Sequence, residues 1–324
     1  MELSAKNKPH LALISGKEPF YWDFRRKPPD GNLNVRLLSG WELDLEHLHD
    51  SMMTKLLGVA QHNQLEWLKD GIRRHIPLDL IHPEGHTVLT IAAQYGSLET
   101  MDYLLDLGLN PAFYVATHMQ YNAYFAACAG GQYEAVKRLL VHPSKKIRIG
   151  MEEPRHHQSG LQVAVHNTRF DFAKQLINDY PELLSHCDSL GRTVFGTALS
   201  IFITSTFITF IQDKTREKEL ESFCLEMLSF ENPFQKMSDE AVASIEVLLN
   251  PVLSTFDKAN KEQRMTAENA VILIQLLSPQ LGSALIKLAQ NTSHEPLAQT
   301  FLAICDKSQG ILHRFKSQLQ PQEK

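Results

Sequence analysis

The sequence predicts an all-α protein, a solenoid of short helical hairpins with an irregular N-terminal cap and a helical C-terminal domain. Three observations carry this reading. Val59, Ala92, Ala127, Ala164 and Ala198 stand in register at intervals of 33, 35, 37 and 34 residues, a period at which single supersecondary units repeat. The clearest unit, residues 85–111, has the pattern of two short helices sharing one apolar face, too small to form a core without neighbours. Outside the register the texture changes, which divides the chain into 1–48, 49–212 and 213–324.

In residues 1–48, Pro19, Pro28 and Pro29 interrupt short apolar pieces, while Phe20, Tyr21, Trp22, Phe24 and Trp41 supply aromatic surface. An aromatic cover over the end of the solenoid is the expectation, with a separate aromatic ligand site as the alternative. The short basic run Arg25 to Lys27 reads as a solvated face.

Residues 49–212 hold four to five repeats. In the central unit a first helix places Leu89, Ala92 and Ala93 inward, Gly96 permits a tight turn, and Leu98, Met101, Leu104 and Leu105 form the stripe of an antiparallel helix. The next unit repeats this spacing with Ala127, Cys128, Gly131, Tyr133, Val136, Leu139 and Leu140. Ala164, Val165, Thr168, Phe170, Ala173, Leu176 and Ile177 follow, with Thr168 in place of the turn glycine. Upstream, Val59, Ala60, Asn63, Leu65 and Leu68 make a weaker copy suited to a cap, and Asp188 to Thr193 open a fifth.

Gly85, Thr87, Leu89, Ala92, Ala93, Gly96, Leu104, Leu105 and Gly108 together resemble the ankyrin repeat, with its G-x-T-x-L-x-x-A-A opening, inter-helix glycine and leucine-rich second helix. The other copies depart further from it: the unit at Ala127 lacks the G-x-T opening and the unit at Ala164 lacks the glycine. Another short helical-hairpin solenoid is the competing reading.

No charged residue interrupts Val194 to Gln212, a length within transmembrane range. Its six serines and threonines dilute the apolarity, and the repeat register assigns Phe207, Phe210 and Ile211 to a second, inward-facing helix. Buried helix is therefore expected rather than membrane insertion. Phe202 stands where the turn glycine belongs, so this unit is expected to run on as one longer helix.

Beyond it, Leu220, Phe223, Cys224, Met227 and Leu228 lie at helical spacing, as do apolar residues from Val242 to Leu249, Ala270 to Leu277, Leu281 to Leu288, Leu297 to Ile304 and Ile311 to Phe315. Asp257 to Arg264 reads as a loop or an exposed helix face, and Gln318 to Lys324 as a frayed tail. A cap, a continued solenoid and a bundle are all compatible with this periodicity.

The 324 residues are 43% apolar and 21% charged, which argues against global disorder. A formal charge of −5 and a pI near 6.3 lack the bulk footprint of a nucleic-acid or anionic-membrane binder. Cys128, Cys187, Cys224 and Cys305 form no Cys-x-x-Cys pair, so reduced thiols in a cytosolic compartment are expected. The start of the chain, Met1 to Pro9, does not read as a conventional signal peptide. No nucleotide loop, zinc-protease motif, nucleophile elbow or kinase signature occurs. Neither a catalytic residue, a metal ligand nor a cofactor is assigned. His156 and His157 beside Glu152 and Glu153 read as flexible polar surface rather than a metal site, and Cys187 between His186 and Asp188 as neighbouring letters rather than a nucleophile.

What the resemblance implies is a noncatalytic scaffold that binds a protein partner through the tips between repeats and the inner helices. Those tips fall at Ile81–His86, Ala112–Asn122, His142–Gly160 and Cys187–Arg192. The candidate contacts are His82, His86, Tyr114, His118, Tyr121, Lys145, Lys146, Arg148 and Arg155. Tyr and His on the second tip suit a hot spot, and the cations on the third suit carboxylate or phosphate; Tyr124 is the aromatic first expected to be core instead. The irregular repeats and unusual flanks are similar to ankyrin proteins that intracellular bacteria deliver into host cells, which implies a host regulatory partner. A resident cytosolic adaptor is the other biology. The other function class is an enzyme whose repeats recruit substrate to a cryptic site in the C-terminal helices.

Overall fold

Each hairpin turns on one residue whose backbone adopts the left-handed conformation. Asn63, Gly96, Gly131 and Thr168 have φ of 53°, 67°, 74° and 58°. The residue that follows donates its amide back across the turn: Gln64 to the Val59 carbonyl, Ser97 to Ala92, Gln132 to Ala127 and Arg169 to Ala164, each at 2.9 Å. This is the left-handed helix C-cap, which satisfies carbonyls that the end of a helix leaves open. The four acceptors are the positions that the sequence register aligns, so the register has a backbone cause even where glycine is absent.

The computed structural model describes residues 55–73, 78, 85–114, 121–208, 214–234, 271, 274–275 and 278–306. The expected cap over 1–48 lies outside them, as do the apolar stripe from Val242 to Leu249, the polar run Asp257–Arg264, the stripe Ile311–Phe315 and the tail. The chain forms two compact units, residues 1–149 and 150–324.

In the first unit, helix α1 covers 55–61, followed by α2 (Leu65–Arg73), α3 (Val88–Tyr95), α4 (Leu98–Asp106), α5 (Ala123–Gly130) and α6 (Tyr133–Val141). Thr87 caps α3 in a reciprocal box with Thr90, and the Asn122 side chain caps α5 by accepting from the Phe125 amide at 3.0 Å. The inner helices α3 and α5 pack together through small residues, with Ala92, Ala93, Ala127 and Cys128 wholly buried. Their approach is so close that a β-carbon on Gly130 would lie 1.9 Å from the Gln94 carbonyl oxygen. Behind them Met101, Leu104, Val136 and Leu139 bury the stripe of the second helices.

Neighbouring repeats are also joined by polar contacts. Asn63 Oδ1 accepts from the Thr100 amide at 3.1 Å while its side-chain amide donates to the Glu99 carboxylate. Ser97 Oγ donates to the Gln61 carbonyl at 3.1 Å, and Arg138 pairs with Asp102.

The second unit contains α7 (Gly160–His166), α8 (Phe170–Asp179), a 3-10 turn (Pro181–Ser185), α9 (Val194–Ile208), α10 (Lys214–Met227), α11 (Pro279–Asn291) and α12 over 296–306. Here α7 packs against α8 and α9, α9 against α10, and α10 against α11. Ser159 caps α7 with Gln162, whose Nε2 also donates to the Arg192 carbonyl at 2.7 Å. The first half of the uncharged stretch is core: Val194, Phe195, Ala198, Leu199, Phe202 and Ile203 are all buried. Phe202 sits inside α9, so the helix runs through the position where earlier units turn. The side chain of Phe207, and Phe210 and Ile211 entirely, lie outside the described residues. Among the described residues no helix is long and apolar enough to cross a membrane.

Glu231, itself 2% exposed, reaches the start of α9, accepting from Thr193 Oγ1 at 2.5 Å and the Phe195 amide at 3.3 Å. A carboxylate at a helix N-terminus satisfies open amides and complements the dipole. Leu220, Phe223, Cys224 and Met227 bury the predicted stripe of α10, and Phe223 stacks on Phe170 with centroids 4.8 Å apart. Pro279 starts α11 with Ser278 as its cap. Phe234 meets Phe301 of α12 edge-on at 5.3 Å. Among the described residues there is no β-strand; Glu152 and Ser159 form an isolated antiparallel bridge.

Candidate partner-binding face

In the first unit the tip after α4 starts with Gly108, at φ 89°, and Asn110, whose Oδ1 accepts from the Ala112 amide at 3.2 Å. Ala123 at the start of α5 then donates to the Pro111 carbonyl at 3.2 Å, closing the base. On this base Tyr114 and Tyr121 are half-buried, each with its ring centroid 6.3 Å from that of Phe125. Phe125 is wholly buried, so two partly exposed aromatics rest on a fixed support. Tyr124 is core, as anticipated: it is 0% exposed, and its hydroxyl donates to the Ile149 carbonyl at 3.0 Å. His118 lies outside the described residues.

The following tip is tied down at its start and middle. The His142 ring contacts Ser144 Oγ at 2.8 Å, the Lys145 amide donates to the His142 carbonyl at 3.0 Å, and Ile147 is 3% exposed. Lys145 adopts φ 51°, an uncommon conformation for a residue with a side chain. Lys145, Lys146 and Arg148 are exposed. Within the first tip His82 lies outside the described residues, Gly85 has φ 91°, and His86 is half-buried.

In the second unit, His156 and His157 are exposed on a loop whose backbone is hydrogen-bonded to a buried carboxylate. Glu153 is 2% exposed; its carboxylate accepts from the amides of Arg155, at 2.8 Å, and His156. Its backbone amide donates to the Gln158 carbonyl at 2.9 Å and its carbonyl accepts from the His157 amide at 3.0 Å. A buried carboxylate that folds the loop around itself leaves Arg155 exposed on a shaped finger. The next tip leans on it: the Ser189 amide donates to the His156 carbonyl at 2.8 Å and His186 Nε2 to the His157 carbonyl at 2.9 Å.

Asp188 organises that next tip, a role for its side chain that the sequence analysis did not assign. One oxygen accepts from the Leu190 and Arg192 amides at 2.9 Å, and the other takes the Arg192 guanidinium in a fork at 2.8 and 2.7 Å. The Asp-Ser-Leu-Gly spacing, with Gly191 at φ 73°, was the available signal for such an Asx turn. Beside Cys187, Asp188 binds the Arg192 guanidinium and His186 contacts the His157 carbonyl.

Burial pushes the Cys128 and Cys224 thiols well above the ordinary thiol range, and that of Cys305 up to about 11. Among the described residues no three His, Cys, Asp or Glu side chains are placed to share a metal ion.

Residues 56–152 match the family model for ankyrin repeats, in three copies. That range spans the units around Val59, Ala92 and Ala127. The unit around Ala164 lies beyond the match, yet it repeats their turn geometry. No curated protein matches the chain.

Proposed function

We propose, from the match of residues 56–152 to ankyrin repeats, that this chain is a noncatalytic scaffold that holds a protein partner against the tips of its repeats. The observation that carries the proposal is the pair Tyr114 and Tyr121, half-buried against the buried ring of Phe125. Aromatics already fixed by packing lose little side-chain entropy on binding, which is what makes such residues anchors. The basic tip Lys145, Lys146 and Arg148 and the half-buried His86 are the further candidate contacts of the first unit, Arg155 is a candidate of the second unit, and the candidates His82 and His118 lie outside the described residues. Whichever protein the full chain retains, Tyr114→Ala with Tyr121→Ala is expected to weaken its retention without unfolding the chain. Equal retention by wild type and variant counts against this face.

The partner is proposed to be a host regulatory protein, with the chain delivered into host cytosol by an intracellular bacterium. That reading rests on the irregular repeats and flanks of the sequence. A reporter fusion that never leaves the bacterium during infection would remove it and favour a resident adaptor. For the enzyme alternative, the buried described side chains after residue 212 are mostly apolar, among them Leu220, Phe223, Met227, Leu281, Leu285 and Phe301, and the buried polar ones, Glu231 and Ser278, are hydrogen-bonded to Thr193 and Glu221.

A further inference from the structure

The segment 145–148 of the first unit carries three cations in a particular arrangement. Lys146 and Arg148 are exposed while Ile147 between them is 3% exposed. Alternation of this kind is the side-chain period of an extended backbone, so the two cations emerge on one side, roughly 7 Å apart along the chain. Lys145 precedes them at φ 51°, where the chain bends out of its turn. The segment is anchored at three points: the Lys145 amide on the His142 carbonyl, Ile147 in the core, and the Ile149 carbonyl on the buried Tyr124 hydroxyl.

Several other charges of the first unit are paired among themselves. On the second helices Arg138 pairs with Asp102, Lys137 with Glu134, and Glu99 takes the Asn63 amide. Lys145, Lys146 and Arg148 form no ion pair among the described residues. A fixed strap with uncompensated positive charge, inside a chain of net charge −5, is a local attractor for an anion. The spacing selects the form of that anion. An extended peptide with acidic residues at alternate positions places its carboxylates on one side with the same roughly 7 Å repeat. Arg148 offers the planar fork that takes a carboxylate with two hydrogen bonds, and Lys146 a compact charge that tolerates the second.

The geometry points to the strap Lys145–Arg148 as a docking site for an extended acidic peptide segment of the partner, one with carboxylates at alternate residues. This rests on the scaffold reading above and adds the chemistry of what the scaffold holds.

The test uses the full chain and a fluorescently labelled, end-blocked peptide of alternating glutamate and threonine, read by anisotropy at low salt. The controls are the same peptide with glutamine for glutamate and one with all its glutamates in a single block. Wild type is expected to bind the alternating peptide, to ignore the glutamine form, and to hold the block form several-fold more weakly. Lys146→Glu with Arg148→Glu is expected to lower affinity by about tenfold or more, since each exposed pair contributes a few-fold. The milder pair Lys146→Gln and Arg148→Gln guards against loss of fold and should lose most of the binding with an unchanged melting curve. Equal binding of the glutamine or block peptide, or unaltered binding by both variants, overturns the proposal. So does tighter binding of oligo-uridylate or of phosphatidylserine vesicles than of the alternating peptide. Failure here with retention of a partner that still depends on Tyr114 and Tyr121 removes the acidic-peptide proposal and leaves the scaffold standing. Loss of that tyrosine dependence removes the scaffold face itself.

Discussion

Gly130 lies against the Gln94 carbonyl so closely that any β-carbon at that position would stand 1.9 Å from the oxygen. No real contact is that short, so Gly130→Ala must force α3 and α5 apart. Overpacking of this kind costs about 2–3 kcal/mol. Urea denaturation of the variant should show the midpoint falling accordingly, and wild-type stability would mean that the inner helices do not approach as described.

Thr168 and Phe202 occupy the same register position and should respond to glycine with opposite signs. Thr168 is held at φ 58°, a conformation that costs a branched residue about 1 kcal/mol or more. Thr168→Gly removes that strain, and a net gain of about 0.5 kcal/mol is expected after the extra freedom of the unfolded chain is subtracted. Phe202 is 1% exposed within α9, so Phe202→Gly loses core volume and helix propensity together, about 4 kcal/mol or more. Thermal melts of the two variants decide it.

That contrast shows what was legible in the letters. The repeat register was readable because Ala92 and Ala127 precede Gly96 and Gly131 by a constant interval. Asn63 readily takes the left-handed turn, but Thr168 turns that way only because its neighbours hold it there, which its propensity does not reveal. Phe202 was readable as a break in the pattern, and α9 does run through it. Gly130 was not singled out, because its role is set by a carbonyl on another helix. At the candidate face, Tyr124 could be recognised as core from its place in the first helix. The burial of Glu153 was invisible: the letters of a polar loop do not show that a carboxylate has turned inward to collect its own amides.

Asp188 should be among the most sensitive polar residues of the second unit. Its side chain is wholly buried and serves two amides and the Arg192 guanidinium. Asp188→Ala takes the acceptor from both amides and from the Nε and Nη2 groups of Arg192, a loss of about 3–4 kcal/mol. Asp188→Asn keeps the amide contacts and should lose less. Chemical denaturation that ranks the two equally would contradict this account of the turn.

The thiols give a pH signature. Burial holds Cys128 and Cys224 protonated far into alkali and moves Cys305 up to about 11. In the unfolded chain these thiols ionise at ordinary values, so below that range the protonated folded state loses nothing. As pH rises through it, the unfolded state alone releases protons and stability falls. The expected observation is declining stability above about pH 9, partly relieved by Cys224→Ala. Iodoacetamide at pH 8 should label Cys187 ahead of the other three until denaturant is added. Rapid labelling of Cys128 or Cys224 in the folded protein would contradict their burial.

The most direct measurement of the central claim is calorimetric titration of the retained partner into the full chain and into Tyr114→Ala with Tyr121→Ala. The scaffold account predicts saturable binding with no turnover of the partner, weakened by about tenfold or more in the variant while its melting temperature changes little. Identical affinity in the two proteins, or chemical conversion of the partner during the titration, would contradict it.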